Sequence, residues 1–149
     1  MARPLTQLQL QTIRGWLTRA ESRLAGAAVA AKRPHPSEGE FDNNFDGVVT
    51  AIFHVVDAFE LARTGIHRRA GEGEQASVIR SVLLSLQAAR IPNVPIPERL
   101  IDLNSRRNTS VHGEWMEVLD PESLEDAIKA ARSLLVAVKV WMVRQGVKL

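Results

Sequence analysis

Residues 46–66 read DGVVTAIFHVVDAFELARTGI, and this stretch carries the strongest core signal in the chain. Its apolar residues recur three or four positions apart, which is the spacing of one face of an α-helix. The polar residues Thr50, His54 and Asp57 fall away from that face, and Glu60 lies on its border. The pattern predicts an amphipathic helix that buries Val48, Ile52, Val55, Phe59, Ala62 and Ile66.

Other segments show the same periodicity. Thr6 is a plausible cap for the first helix, and Asp120 with Pro121 opens the last one. No segment alternates with a period of two for long enough to predict a strand, and the short connections favour antiparallel neighbours. The sequence therefore predicts one all-α domain over residues 1–149, an up-and-down four-helix bundle with an additional short motif-bearing helix. The helices are expected over about 5–32, 46–66, 74–89, 97–112 and 121–145.

Residues 33–45 contain two prolines and a glycine without periodicity, which predicts a loop. Asp42, Asn44 and Asp46 match the opening of an EF-type calcium loop. The twelfth position of such a loop requires a bidentate glutamate, and here it is Phe53, which excludes calcium. Asn44 or Asp46 is instead expected to cap the following helix.

Composition excludes several classes of protein. The chain has no cysteine, so a disulfide scaffold and thiolate chemistry are excluded. No stretch is typical of a membrane span or a secretion signal, and we expect a cytoplasmic protein. The formal charge of +2 is too small for a strong overall attraction to nucleic acid. Arg14, Arg19 and Arg23 place positive charge along the polar side of the first helix, which we interpret as a solvated face.

The predicted helix that begins at Pro97 has an anomalous buried face. Leu100, Leu103 and Val111 mark its apolar side. Arg107 projects only about 20° from Leu100, at about 100° of rotation per residue. An unpaired charge in a core costs several kcal/mol, so this face must meet a partner or a polar cleft. The polar residues that share the buried arc are Asn104, Arg107, Asn108 and His112.

The residues Arg107-Asn108-x3-His112, placed late in a helix of a bundle, resemble the R-x4–6-H signature of the HEPN domain family. The pattern of residues 57–63, DAFELAR, earlier in the chain is similar as well. HEPN proteins are all-α bundles, and many are metal-independent endoribonucleases of toxin–antitoxin, CRISPR and antiphage defence systems. They dimerise so that both copies of the motif face a shared cleft. The resemblance implies RNA as substrate, a homodimer, a cognate antitoxin or partner protein, and no metal or other cofactor.

Carried to this chain, the resemblance implies roles for three residues. Arg107 would stabilise the phosphate and the transition state, because a guanidinium matches phosphate oxygens. His112 would be the general acid or base, and Asn108 would orient one of them. Asn104 and Glu60 are supporting candidates. A spacing of five residues separates Arg107 and His112 by about 140° on one helix. Side chains that far apart on one helix do not converge easily on one phosphate. In a two-fold dimer, the arginine of one copy can instead approach the histidine of the other.

Two alternatives stay open. In the first, the motif residues are structural: Arg107 pairs with a buried carboxylate such as Glu60, and His112 donates to the last carbonyls of its helix. In the second, the protein is a non-catalytic helical adaptor or HEPN relative that binds RNA or a protein partner. The aromatic content of 5% argues against base stacking as the main mode of binding.

Overall fold

The computed structural model describes residues 4–33, 38–67, 75–112 and 121–149, without the side chains of residues 38–42, 105–112 and 121–123. Within these ranges the protein is all-helical and contains no strand. The helices are α1 (Gln7–Ala31), α2 (Glu38–Thr64), α3 (Gln75–Ala88), α4 (Pro97–His112) and α5 (Pro121–Arg144). The all-α prediction is confirmed, and the helices expected for α1, α3, α4 and α5 occur within about two residues of their predicted limits.

The start of α2 corrects the sequence analysis. We expected a loop to residue 45, whereas α2 already begins at Glu38. The physical reason is Phe45, which is only 1% exposed and lies three residues before Val48 on the same side of the helix. Its burial extends the apolar stripe toward the N-terminus. Asn44 and Asp46 are therefore interior helix residues and not caps.

The expected cap at Asp120 lies outside the described residues.

Helices α2 and α5 form the centre of the fold, because each contacts all four other helices. Helix α1 packs against α2 and α5 alone, while α3 and α4 contact both of them and each other. The core stripe predicted for α2 is buried from Val48 to Ala62, but Ile66 lies beyond the helix and is exposed. Phe59 of α2 meets Trp141 of α5 with ring centroids 4.6 Å apart. This contact joins the two central helices.

Helix α1 runs antiparallel to α2 and α5. The Gln9 side chain at its start donates to the Gly65 carbonyl just after α2. Arg14 donates to the Lys148 carbonyl, and Glu21 pairs with Lys139 about two turns further along α1. The chain leaves α2 through Gly65, whose φ of 71° lies in the left-handed region that glycine adopts without strain.

The beginning of α1 is held by a capping box. The Thr6 hydroxyl accepts from the Gln9 backbone N–H at 3.1 Å, and the Gln9 side chain accepts from the Thr6 N–H at 2.9 Å. We expect Thr6→Ala to lower the free energy of unfolding by about 1 kcal/mol, because the Gln9 backbone N–H loses the hydroxyl that accepts from it. Denaturant unfolding measures this loss. Thr6→Ser keeps the hydroxyl and should retain most of the stability, and equal losses in both variants would contradict the capping role.

Candidate functional site

Two contacts set the register between α3 and α4. Arg80 of α3 donates to Glu98 of α4 at 2.9 Å, and Asn104 of α4 donates to Gln75 of α3 at 3.1 Å. As the position on α4 advances from 98 to 104, its partner on α3 falls from 80 to 75, so the two helices are antiparallel. Gln75 is the first residue of α3. The first residue of α3 therefore lies level with Asn104, and no described residue of α3 extends past that point.

This register leaves the motif end of α4 beyond α3. Helix α4 continues for eight residues after Asn104, to His112, which is a further ~12 Å at 1.5 Å per residue. No described residue of α3 lies alongside that length. The positions of Arg107, Asn108 and His112 all belong to it, and their side chains lie outside the described residues.

Asn104 is the member of the predicted arc whose surroundings are described. It is 6% exposed and is the one buried polar residue among the described side chains. Its amide nitrogen donates to Gln75, while its carbonyl oxygen is buried without a hydrogen-bond partner among the described groups. A buried amide that is half satisfied costs free energy. The buried face of α4 thus becomes polar at Asn104, one turn before the motif.

The first turn of α4 is stabilised by charge. The Glu98 carboxylate accepts from its own backbone N–H and from Arg80, and both hydrogen bonds lower the pKa of Glu98 below its ordinary value. Arg99 lies 3.7 Å from Asp126, near the start of α5. These contacts on exposed residues orient α4 between α3 and α5 and add little to stability.

Glu60, the other supporting candidate, has a described partner on its own helix. Arg63 approaches the Glu60 carboxylate at 3.1 Å, and both side chains are partly exposed. The predicted contact between Glu60 and Arg107 depends on a side chain that is not described, so the role of Glu60 remains a prediction.

Helices α1 and α2 place together a group of residues that the sequence analysis did not associate. Burial and the nearby charges of Arg23 and Arg19 lower the pKa of His54, whose Nε2 is buried without a described hydrogen-bond partner. His67 Nε2 lies 3.8 Å from the Asp57 carboxylate. We call this line the α1–α2 seam and define it by Arg19, Arg23, His54, Asp57 and His67.

Trp16 closes one end of the seam, since its ring lies 4.8 Å from that of His67. At the other end is a cleft of about 320 Å³. Its lining combines small apolar residues with three polar side chains: Gly26, Val29, Ala30, Arg33, Asn43 and Asn44.

The seam was missed because helical periodicity separates buried positions from exposed ones but does not say which exposed side chains of two helices become neighbours. A helical projection of α1 does place Trp16, Arg19 and Arg23 on one side. The short connection to α2 predicts an antiparallel neighbour. Together these two signals would have suggested the group.

The described residues offer neither a metal site nor a membrane-spanning helix. No cluster of three or more histidine, aspartate or glutamate side chains has a geometry that would hold a metal ion. No helix in the described ranges combines the length and the apolar character needed to cross a bilayer.

Comparison with known proteins found no match to a protein-family model, to a curated protein or to a solved structure.

Proposed function

We propose that this protein is a metal-independent endoribonuclease of HEPN type, which cleaves RNA through a composite arginine and histidine site at a homodimer cleft. The proposal includes the four-helix arrangement with a motif-bearing helix, a cytoplasmic location and a cognate antitoxin or partner protein of a defence system. The observation that carries it is the end of α4. The motif positions extend beyond the described part of α3, and the face that they continue is already polar and buried at Asn104.

The chemistry needs no group beyond the side chains of this chain and water. The ribose 2′-OH attacks the adjacent phosphorus to form a 2′,3′-cyclic phosphate, and the bond from phosphorus to the leaving 5′-oxygen breaks. His112 takes the proton from the 2′-OH or delivers one to the 5′-oxygen, since imidazole groups ordinarily titrate near neutrality, and water makes the other proton transfer. Arg107 binds the non-bridging oxygens while negative charge builds on them. Asn108 orients one of these two side chains.

The homodimer is part of the proposal because of helical geometry. Arg107 and His112 are about 140° apart around one helix, so a single copy does not converge easily on one phosphate. A two-fold axis near the projecting end of α4 brings the arginine of one copy toward the histidine of the other. The length of α4 beyond Asn104 supports this arrangement, because about 12 Å of helix there has no described residue of α3 beside it.

A non-catalytic helical adaptor is the second candidate. The hydrogen bond between Asn104 and Gln75 supports it, because this bond gives the polar face of α4 a structural role in joining α4 to α3. The two candidates differ in one measurable property, which is cleavage of RNA.

We expect the purified protein to cleave single-stranded RNA in the presence of EDTA. His112→Ala should lower the rate by about 10²- to 10⁴-fold, the usual contribution of a general acid or base. Arg107→Ala should also be strongly impaired, whereas Arg132→Ala serves as the matched control, since Arg132 is exposed on α5. Rates are measured on labelled RNA.

Intact RNA under these conditions, together with measurable binding, would favour the adaptor. Cleavage that persists in His112→Ala would show that His112 is not a catalytic residue.

A further inference from the structure

The α1–α2 seam contains two arginines that the proposed reaction does not use. Arg19 and Arg23 are both exposed, and neither has a hydrogen-bond or ion-pair partner among the described residues. By contrast, Arg14 on the same helix donates from Nε and from Nη2 to the Lys148 carbonyl. Within the described part of the chain, no group occupies the donors of the two seam arginines.

The two guanidinium groups belong to the same part of α1. They lie four residues apart on α1, about 6 Å along the helix. Both lie close enough to His54 to add to the lowering of its pKa, whose largest cause is burial. The Asp57 carboxylate is engaged with His67 at the far end. Arg19 and Arg23 supply the fixed positive charge of the seam.

The adjoining cleft has a different chemistry. Its volume of about 320 Å³ is at the lower end of the range for small-molecule sites and suits one flat group. Val29 and Ala30 offer apolar contact, while Asn43 and Asn44 each carry an amide that both donates and accepts. Base edges are read by side chains of this kind. Arg33 adds a cation at the rim.

We propose that the α1–α2 seam and the cleft together bind single-stranded RNA, with phosphates on Arg19 and Arg23 and one unstacked base in the cleft. The inference rests on the proposed function for the identity of the ligand and adds a holding site away from the reaction. Helix α2 contacts both α1 and α4. The same helix therefore joins the seam to the helix that carries the motif.

The test uses the full-length His112→Ala protein, so that RNA is bound without being cut. Affinity for a labelled single-stranded RNA is measured by fluorescence anisotropy over a range of salt concentrations. We expect Arg19→Ala/Arg23→Ala to weaken binding by about tenfold or more at low salt. The slope of log affinity against log salt should fall by about 1.4, because two phosphate contacts are lost at about 0.7 each. Lys129→Ala/Arg132→Ala removes the same charge from exposed positions on α5 and should change neither value.

A separate variant tests the role of the cleft in binding. An added side chain at Gly26 meets no atom within 4 Å of its first carbon, so Gly26→Leu fits and fills part of the cleft. We expect it to weaken binding and leave the salt slope unchanged, because no charge is removed. Gly15→Leu is the matched control, since Gly15 is a glycine of α1 with equally open surroundings outside the cleft.

The outcomes separate this inference from the proposed function. Unchanged affinity and salt slope in Arg19→Ala/Arg23→Ala, or no RNA binding at all, would contradict RNA binding by the seam. If the seam variants weaken binding but the parent protein never cleaves RNA, RNA binding by the seam is supported and the nuclease proposal is rejected. If cleavage depends on His112 and the seam variants do not change binding, the nuclease proposal is supported and RNA binding by the seam is rejected.

Discussion

Phe59→Ala is expected to lower the free energy of unfolding by about 3 to 5 kcal/mol. Phe59 is fully buried in α2 and packs its ring against Trp141 of α5 at 4.6 Å. The substitution removes apolar area from the contact between the two central helices and leaves a cavity that the surrounding side chains fill only in part. Since a protein of this size is stable by only about 5 to 15 kcal/mol, the loss is a large fraction of the total.

Urea unfolding followed by circular dichroism measures this effect. Leu8→Ala is the control, because Leu8 is 71% exposed and its truncation should stay within about 0.5 kcal/mol. If Phe59→Ala does not fold, Phe59→Leu retains most of the apolar volume and should give a smaller but measurable loss. A loss below about 1 kcal/mol in Phe59→Ala would contradict the central position of this contact.

The second large effect concerns the composite site. Arg107→Ala and His112→Ala are each expected to be nearly inactive, yet their equal mixture should recover about a quarter of the parent activity after subunit exchange. Random exchange makes half of the dimers mixed. Each mixed dimer has one intact site, which combines the arginine of one copy with the histidine of the other. Initial rates of RNA cleavage before and after exchange measure the recovery.

A second mixture provides the control for this experiment. His112→Ala combined with the double variant Arg107→Ala/His112→Ala contains no intact histidine and should stay inactive. An absence of recovery in the first mixture, with subunit exchange verified, would show that each site is built from a single copy.

Much of the fold was predictable from sequence because burial follows helical periodicity. The apolar residues of α5 that recur at helical spacing, from Leu124 to Met142, are buried. Pro97 opens α4 and Thr6 caps α1, as local backbone chemistry requires. The error at the start of α2 has the opposite cause. Residues 38–45 are mostly polar and contain a glycine, and the burial of Phe45 in the core stabilises their helical conformation.

The sequence likewise predicted some features of the candidate site and not others. Sequence periodicity alone placed Asn104 on the buried side of α4, and the structure confirms that burial. It did not predict the contact between Asn104 and Gln75, which comes from a helix 29 residues earlier in the chain. Nor did it predict that α3 begins level with Asn104, which is the feature that leaves the motif end of α4 extended.

By itself, the sequence determined that this chain is helical, which residues its helices bury, and where a polar motif interrupts an apolar face. These properties depend on spacing within one helix, where the geometry is the same in every protein. Tertiary structure alone decided which exposed residues of different helices meet. The gathering of Arg19 and Arg23 around His54 is of this kind. Helix packing sets such contacts through the shapes of many side chains at once, and no local pattern in the chain records that result.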